Sequence, residues 1–115
     1  MGYLGIDLGT TNSVAVIYSD KNDAIDVVKI DGADEILPSV VSFLEDGVIV
    51  GQEAKSGAII YPEHTVMSVK RLMGQGEKLN IGSLQKTPDE ISAEILCDLN
   101  NFLFCQHLFF PFYSF

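Results

Sequence analysis

Basic residues are scarce in this chain. Seven Lys and Arg stand against sixteen Asp and Glu, giving a net charge of −9 over 115 residues. A phosphate backbone demands clustered Lys and Arg, so this balance argues against a nucleic-acid partner. Long apolar runs are also missing: none approaches the roughly 18–20 residues that a membrane helix needs. The start shows no basic region followed by an apolar stretch and a small-residue cleavage site, so no secretory signal is read there. Met1-Gly2 opens like a myristoylation site, yet Ile6 stands where that motif wants Ser or Thr. These absences set the expectation of a cytoplasmic protein. Cysteine is limited to Cys97 and Cys105. On one helix they would lie about 12 Å apart along the axis, beyond the roughly 7 Å that a disulfide spans. Cys97, Cys105 and His107 lack a fourth ligand and fit no zinc spacing, so unpaired thiols in a reducing compartment are expected. No internal repeat or low-complexity linker interrupts the chain, whose length suits one domain of ordinary size.

The most informative stretch is Gly5-Ile6-Asp7-Leu8-Gly9-Thr10-Thr11-Asn12-Ser13. Tyr3 to Leu8 reads as a strand, Gly9 to Asn12 as a tight turn, and Ser13 to Tyr18 as a returning strand. Such a turn offers backbone N–H groups, two hydroxyls and an amide with no bulky side chain in the way. Successive main-chain amides can cradle a phosphate. Thr10 and Thr11 add O–H donors and Asn12 an N–H₂ donor. Gly9 is expected to take φ > 0 and let the backbone approach a ligand closely. Asp7, at the mouth of the turn, could reach Mg²⁺ through water, since that ion keeps most of its waters and takes few carboxylates. The bland alternative is a plain hairpin turn, for which Gly, Thr and Asn are ordinary residues.

Further along, Asp20-Lys21-Asn22-Asp23 is a polar turn and Ile25 to Ile30 reads as a third strand. Ser39 to Leu44 and Val48 to Val50 form a hairpin across Asp46-Gly47, read as a type I′ turn. Gln52 to Ile60 reads as a helix ending before Pro62, and Thr65 to Met73 as a second, capped by Gly74. Residues 75–86 read as a loop. His64, near a helix start, is given no catalytic role. Thr87-Pro88-Asp89-Glu90 is a capping box that opens a third helix, with Ile91, Ile95 and Leu99 on its buried face.

Taken together these segments resemble one family. The Gly5–Ser13 run is similar to the first phosphate-binding segment of the seventy-kilodalton heat-shock (DnaK-type) chaperones, and more loosely to actin-like ATPases and sugar kinases. Ile36-Leu37-Pro38-Ser39-Val40-Val41 resembles the chaperones' Thr-Pro-Ser strand, with Leu37 where Thr is usual. Val50-Gly51-Gln52-Glu53-Ala54-Lys55 resembles their Val-Gly-x-x-Ala-Lys segment, and Val69-Lys70-Arg71-Leu72-Met73-Gly74 their Lys-Arg-Leu-Ile-Gly segment. The resemblance covers residues 1 to about 99 in order and spacing.

What the resemblance implies can be carried over residue by residue. The fold would be α/β (α+β), of the actin-like ATPase and ribonuclease-H-like kind, and incomplete. Residues 1–35 would be antiparallel strands of the first lobe with the phosphate turn, 36–86 the small peripheral subdomain, and 87–99 the start of a helix. Asp7, Gly9, Thr10, Thr11 and Asn12 match the residues that contact the ATP phosphates and the Mg²⁺ shell, with ATP/ADP and Mg²⁺ as cofactors. Lys70 matches the lysine that positions the attacking water and meets charge on the γ-phosphate; read alone it is a solvated helix charge. A parent protein would couple ATP hydrolysis to peptide binding and protein folding. Its partners would be unfolded polypeptide clients, a J-domain co-chaperone and a nucleotide exchange factor. The second phosphate loop, the adenosine-binding segments and the second lobe would lie beyond these residues, so one wall of a cleft is expected, with weak nucleotide affinity and negligible hydrolysis. Two other readings stay open: a sugar or carboxylate kinase sharing the turn, and a non-enzymatic partner-binding module.

Residues 100–115 differ in character. From Asn101 onward they hold six of the chain's seven Phe and no Asp, Glu, Lys or Arg. This stretch is read as a divergent aromatic tail outside the family sequence, the alternative being a real amphiphilic terminus. Either way it is an exposed-patch liability.

Overall fold

Alternation of apolar and polar residues builds the first sheet. In the computed structural model, which describes residues 2–30 and 34–106 (the last five as backbone only), β1 (Gly2–Leu8) pairs antiparallel with β2 (Asn12–Ser19). The register sets Leu4 opposite Ile17, Ile6 opposite Ala15 and Leu8 opposite Ser13, so these six share one face. Leu4, Ser13, Ala15 and Ile17 are buried there. The other face carries Tyr3, Gly5 and Asp7 against Tyr18, Val16 and Val14; Tyr3, Gly5 and Asp7 are exposed. The period of two thus sorts core from surface along both strands. On its far edge β2 takes two partners in succession. Residues 16–19 pair with β3 (Ala24–Val27), and Asn12 and Ser13 pair with β4 (Leu37–Pro38). Among the described residues β1 has β2 as its one strand neighbour.

A second sheet has β5 (Val40–Leu44) at its centre, between β6 (Gly47–Val50) and β7 (Thr65–Met67), all antiparallel. Val40, Val41, Ser42 and Phe43 are all buried, because this strand is covered on both faces. The short helix α1 (Gln52–Gly57) packs on β5 and β6. A long helix, α2 (Pro88–Gln106), packs on β5, β6 and the 3₁₀ turn Val69–Leu72. Ile91, Ile95 and Leu99 lie on its inward face, essentially inaccessible, in a core shared with Leu4, Ile17, Val41, Phe43 and Val69. The N-cap half of the capping box forms: the Glu90 N–H donates to Thr87 Oγ1 at 3.2 Å, and in place of the reciprocal backbone bond the Thr87 hydroxyl donates to Glu90 Oε1 at 3.3 Å.

Several elements depart from the sequence reading. Thr65–Met67 is a strand, and helix is confined to a 3₁₀ turn at Val69–Leu72. The edge of β5 was available, and the β-branched Thr65 and Val66 suit pairing there. Ser68 at φ 56° then turns the chain out of the sheet. Within the expected loop 75–86 lies a hairpin, β8 (Leu79–Ile81) and β9 (Leu84–Lys86), whose Ile81 is a core residue. The third strand stops at Val27, and α1 ends at Gly57, not Ile60. The β5–β6 turn is centred on Glu45-Asp46, since Leu44 pairs with Gly47. Neither central residue has positive φ, so the turn is not type I′; the left-handed freedom is used by Gly47 at φ 137°. The expected aromatic tail lies largely outside the described residues.

Candidate phosphate-binding site

The turn that joins β1 to β2 is held by its two strands and by the residue that follows β4. Ser39 Oγ donates to the Gly9 carbonyl at 2.9 Å, and the Ser39 N–H donates to the Thr11 carbonyl at 2.9 Å. Ser39 Oγ also meets Ser13 Oγ at 2.8 Å, with both serines buried. Gly9 does not adopt positive φ, contrary to expectation. Glycine is required for another reason: a Cβ there would fall on the Asn12 carbonyl oxygen across the bend.

Thr11, Asn12 and Asp7 are exposed, and Gly9 and Thr10 are half-buried. Among the described residues the bend therefore keeps its Thr11 and Asn12 side open to solvent. Asp7 extends from the open face of β1, two residues before Gly9, where its carboxylate is free of the core. At the other end of this face Tyr3 and Tyr18 stack, ring centroids 6.1 Å apart, and the Tyr18 hydroxyl donates to Asp23 Oδ1 at 3.0 Å, which raises the Tyr18 pKa.

Thr10 and Thr11 also line a cavity of about 80 Å³ with Ser39, Val40, Lys55, Met67 and Ser68. The strand β7 and the turn after it therefore come up to the bend. Lys70 follows Ser68 by two residues on the 3₁₀ turn, exposed, while Val69 beside it is buried and anchors the segment in the core. The segment bearing Lys70 thus reaches the bend through Ser68. Sequence reasoning gave no role to Ser13, Ser39 or Lys55. A serine directly after the Leu37-Pro38 pair was the available sign for Ser39, and the Ala54-Lys55 end of α1 for Lys55. Gly51 is needed at the start of α1 because φ is 94° and an added Cβ would crowd Leu37 Cδ1 at 2.5 Å.

Chemically, the bend can supply main-chain amides, the Thr10 and Thr11 hydroxyls and the Asn12 amide to an anion, with an exposed carboxylate nearby for a hydrated cation. Among the described residues no group of three or more His, Cys, Asp and Glu could hold a metal by itself, so a cation here would need a bound phosphate to complete its shell. Cys97 is an exposed free thiol, and no helix of the described residues is long and apolar enough to cross a membrane.

Comparison with known proteins gives this geometry a context. Residues 3–105 match the model of the family described as Hsp70 protein. The chain is 46% identical over 99 residues to the chaperone protein DnaK of Ureaplasma urealyticum, covering 86% of this chain and 16% of that protein. It is 42% identical over 99 residues to DnaK of Thermotoga petrophila, covering 85% and 16%, and 44% over 94 residues to DnaK of Thermotoga neapolitana, covering 81% and 16%. The chain therefore spans about one sixth of the length of these relatives, and its strand-rich α+β architecture is consistent with a segment of that family. With its phosphate-type turn, its Leu-Pro-Ser strand and its Lys-Arg-Leu segment all inside the matched region, the chain belongs to the Hsp70 family.

Proposed function

We propose that these residues form the first phosphate-binding wall of the nucleotide-binding domain of a DnaK-type chaperone, built on an actin-like first lobe. The observation that carries this reading is the solvent-open bend Gly9–Asn12, with Asp7 exposed beside it and the segment leading to Lys70 alongside. In this reading the 1–35 strands hold the turn, residues 36–86 are a peripheral subdomain, and the helix starting at Pro88 braces both.

The bend amides with Thr10, Thr11 and Asn12 would bind the terminal phosphates of ATP or ADP, and Asp7 would hold Mg²⁺ through its waters. The ion, when bound, neutralises charge on the phosphate oxygens. Lys70 would place an ammonium toward the charge that spreads over a transferring phosphoryl group. The chaperone partners follow from the same reading: polypeptide clients, a J-domain protein and an exchange factor would act on the whole protein. The 115-residue polypeptide by itself offers donors from one side of a cleft. Its affinity for Mg-ATP is therefore about 1 mM or weaker, and its hydrolysis negligible because the water, metal and phosphoryl group are not all fixed.

Titration of the isotope-labelled chain with Mg-ATP tests this. Saturable shifts at the Gly9, Thr10, Thr11 and Asn12 amides, lost in Asp7→Ala or without Mg²⁺, are expected. Shifts confined to other segments, or none up to tens of millimolar, would overturn the assignment.

A further inference from the structure

A serine pair lies beneath the bend. Ser13, at 0% exposure, and Ser39, at 2%, are among the most deeply buried side chains in the molecule, and both are polar. A buried hydroxyl without a partner costs about 1–3 kcal/mol, so such a pair is tolerated only when its hydrogen bonds are made. Here the bonds are made, and their direction can be derived. A serine hydroxyl carries one proton. Ser39 donates its proton to the Gly9 carbonyl, so the 2.8 Å contact between the two hydroxyls requires Ser13 to be the donor. The chain runs Ser13 O–H to Ser39 O–H to Gly9 C=O, each link polarising the next.

The consequence lies in the peptide planes. A planar trans peptide points its C=O and its N–H in opposite directions. The Gly9 carbonyl, drawn to the Ser39 hydroxyl, therefore turns the Thr10 N–H away from Ser39. The Thr11 carbonyl, drawn to the Ser39 N–H, does the same for the Asn12 N–H. One residue, between β4 and β5, thus fixes two of the bend's peptide planes. It also keeps two carbonyl oxygens turned inward, where they cannot repel an approaching anion. Ser39 is itself fixed, because β4 pairs with Asn12 and Ser13 at the start of β2.

We infer that Ser39, oriented by Ser13, is a positioning residue for the anion-binding bend: a buried hydroxyl staple that presets the Thr10 and Asn12 amides as donors. This rests on the phosphate-binding reading of the bend. Ser39 touches no ligand; it acts through the backbone it holds. Preorganisation of this kind lowers the ordering cost that binding would otherwise carry.

The test is made on the intact 115-residue chain, by amide order parameters for residues 9–12 and by Mg-ATP titration. Wild-type order parameters near the rigid value of about 0.85 are expected to fall to about 0.6 or lower in Ser39→Ala. Mg-ATP affinity should weaken about tenfold, the scale of one hydrogen bond's free energy. Ser13→Ala, which leaves Ser39 its proton for Gly9, should cost about threefold. Ser39→Thr keeps the hydroxyl at a residue that borders a cavity of about 80 Å³, and should restore binding to within about twofold. Ser42→Ala removes a comparable buried hydroxyl, bonded to Thr65 at 2.7 Å in the second sheet, and should leave the bend rigid.

Unchanged order parameters and affinity in Ser39→Ala would overturn the staple. So would equal bend disorder in Ser42→Ala, since the effect would then be general destabilisation. If wild type gives no Mg-ATP shifts, the phosphate reading falls and the order parameters still decide whether Ser39 fixes the bend. If Ser39→Ala does not fold, Ser13→Ala against Ser39→Thr decides: a loosened bend in the first and a rigid one in the second supports the staple, and the same bend in both refutes it.

Discussion

The sheet of β1, β2 and β3 and the segment from β5 to β9 use similar residues to opposite ends. In the first, one face is buried and the other open, with Tyr3, Gly5 and Asp7 exposed and β1 at an edge. In the second, β5 is enclosed on both faces by strands and helices. A half-covered sheet leaves donors and a carboxylate accessible, which a binding site needs; a fully covered strand offers packing and little else. The candidate site sits where the two regions meet, for its bend belongs to the first, Met67 and Ser68 approach from the second, and Ser39 lies at the junction between β4 and β5. Exposure is thus supplied by the first region, and rigidity by the junction that Ser39 makes between the two.

That division can be broken most forcefully in the core. Ile95→Ala on α2, where exposure is 0%, should cost about 2–5 kcal/mol by urea unfolding. Ile25→Ala on β3, 68% exposed, should stay within about 0.5 kcal/mol. Similar costs at the two positions would mean that the core closed by α2 does not dominate stability. Limited proteolysis probes the same contrast. Fragments from residues 36–86 should outlast the 2–30 strands, whose edge is open; equal digestion throughout would remove the distinction.

Next in size is the cap that starts α2. Thr87→Ala removes the acceptor for the Glu90 N–H and should cost about 1 kcal/mol, read as a lowered unfolding midpoint. Mg-ATP shifts at the bend should survive it. Their loss in this variant, at temperatures where the chain stays folded, would show that the bend depends on the helix more closely than the hydrogen bonds of Ser39 imply.

Much of this architecture was legible in the sequence, for identifiable reasons. The β1–β2 hairpin follows from alternation on either side of a small polar turn, and the start of α2 from Thr87, Pro88 and Glu90 at their capping positions. Thr65–Met67 was misread because Pro62 and the later Lys-Arg-Leu run suggest a helix, while the choice of strand is made by the free edge of β5, a tertiary fact. The β8–β9 hairpin was hidden in a Gly- and Lys-rich stretch, where Ile81 is buried in the core and Leu79 packs against it. Gly9 was assigned the right residue type for the wrong cause: crowding by the Asn12 carbonyl across the bend demands it, and spacing cannot reveal such an approach. Ser39 escaped for the same reason, since its partners Gly9 and Ser13 lie 30 and 26 residues away in the chain.

The smallest effect concerns Asp98 on α2, which lines a recess of about 260 Å³ beside β4 and the start of α1, with Asp34 and Glu53 as its acidic neighbours. Partial burial raises its pKa above the ordinary 3.8, because desolvation disfavours the charged carboxylate. The folded state therefore holds this proton more tightly than the unfolded chain does. Stability from this group is fully present below about pH 3.8 and declines as pH rises through the folded-state value. At neutral pH the charged Asp98 is a small liability, so Asp98→Asn should raise the unfolding free energy by about 0.5 kcal/mol or less. The gain should vanish on acidification below pH 3.8, where wild type and variant are both neutral at this position. A gain that persists there would assign the effect to amide hydrogen bonding in the recess, and a loss at neutral pH would mean that the carboxylate is held by an interaction stronger than its burial.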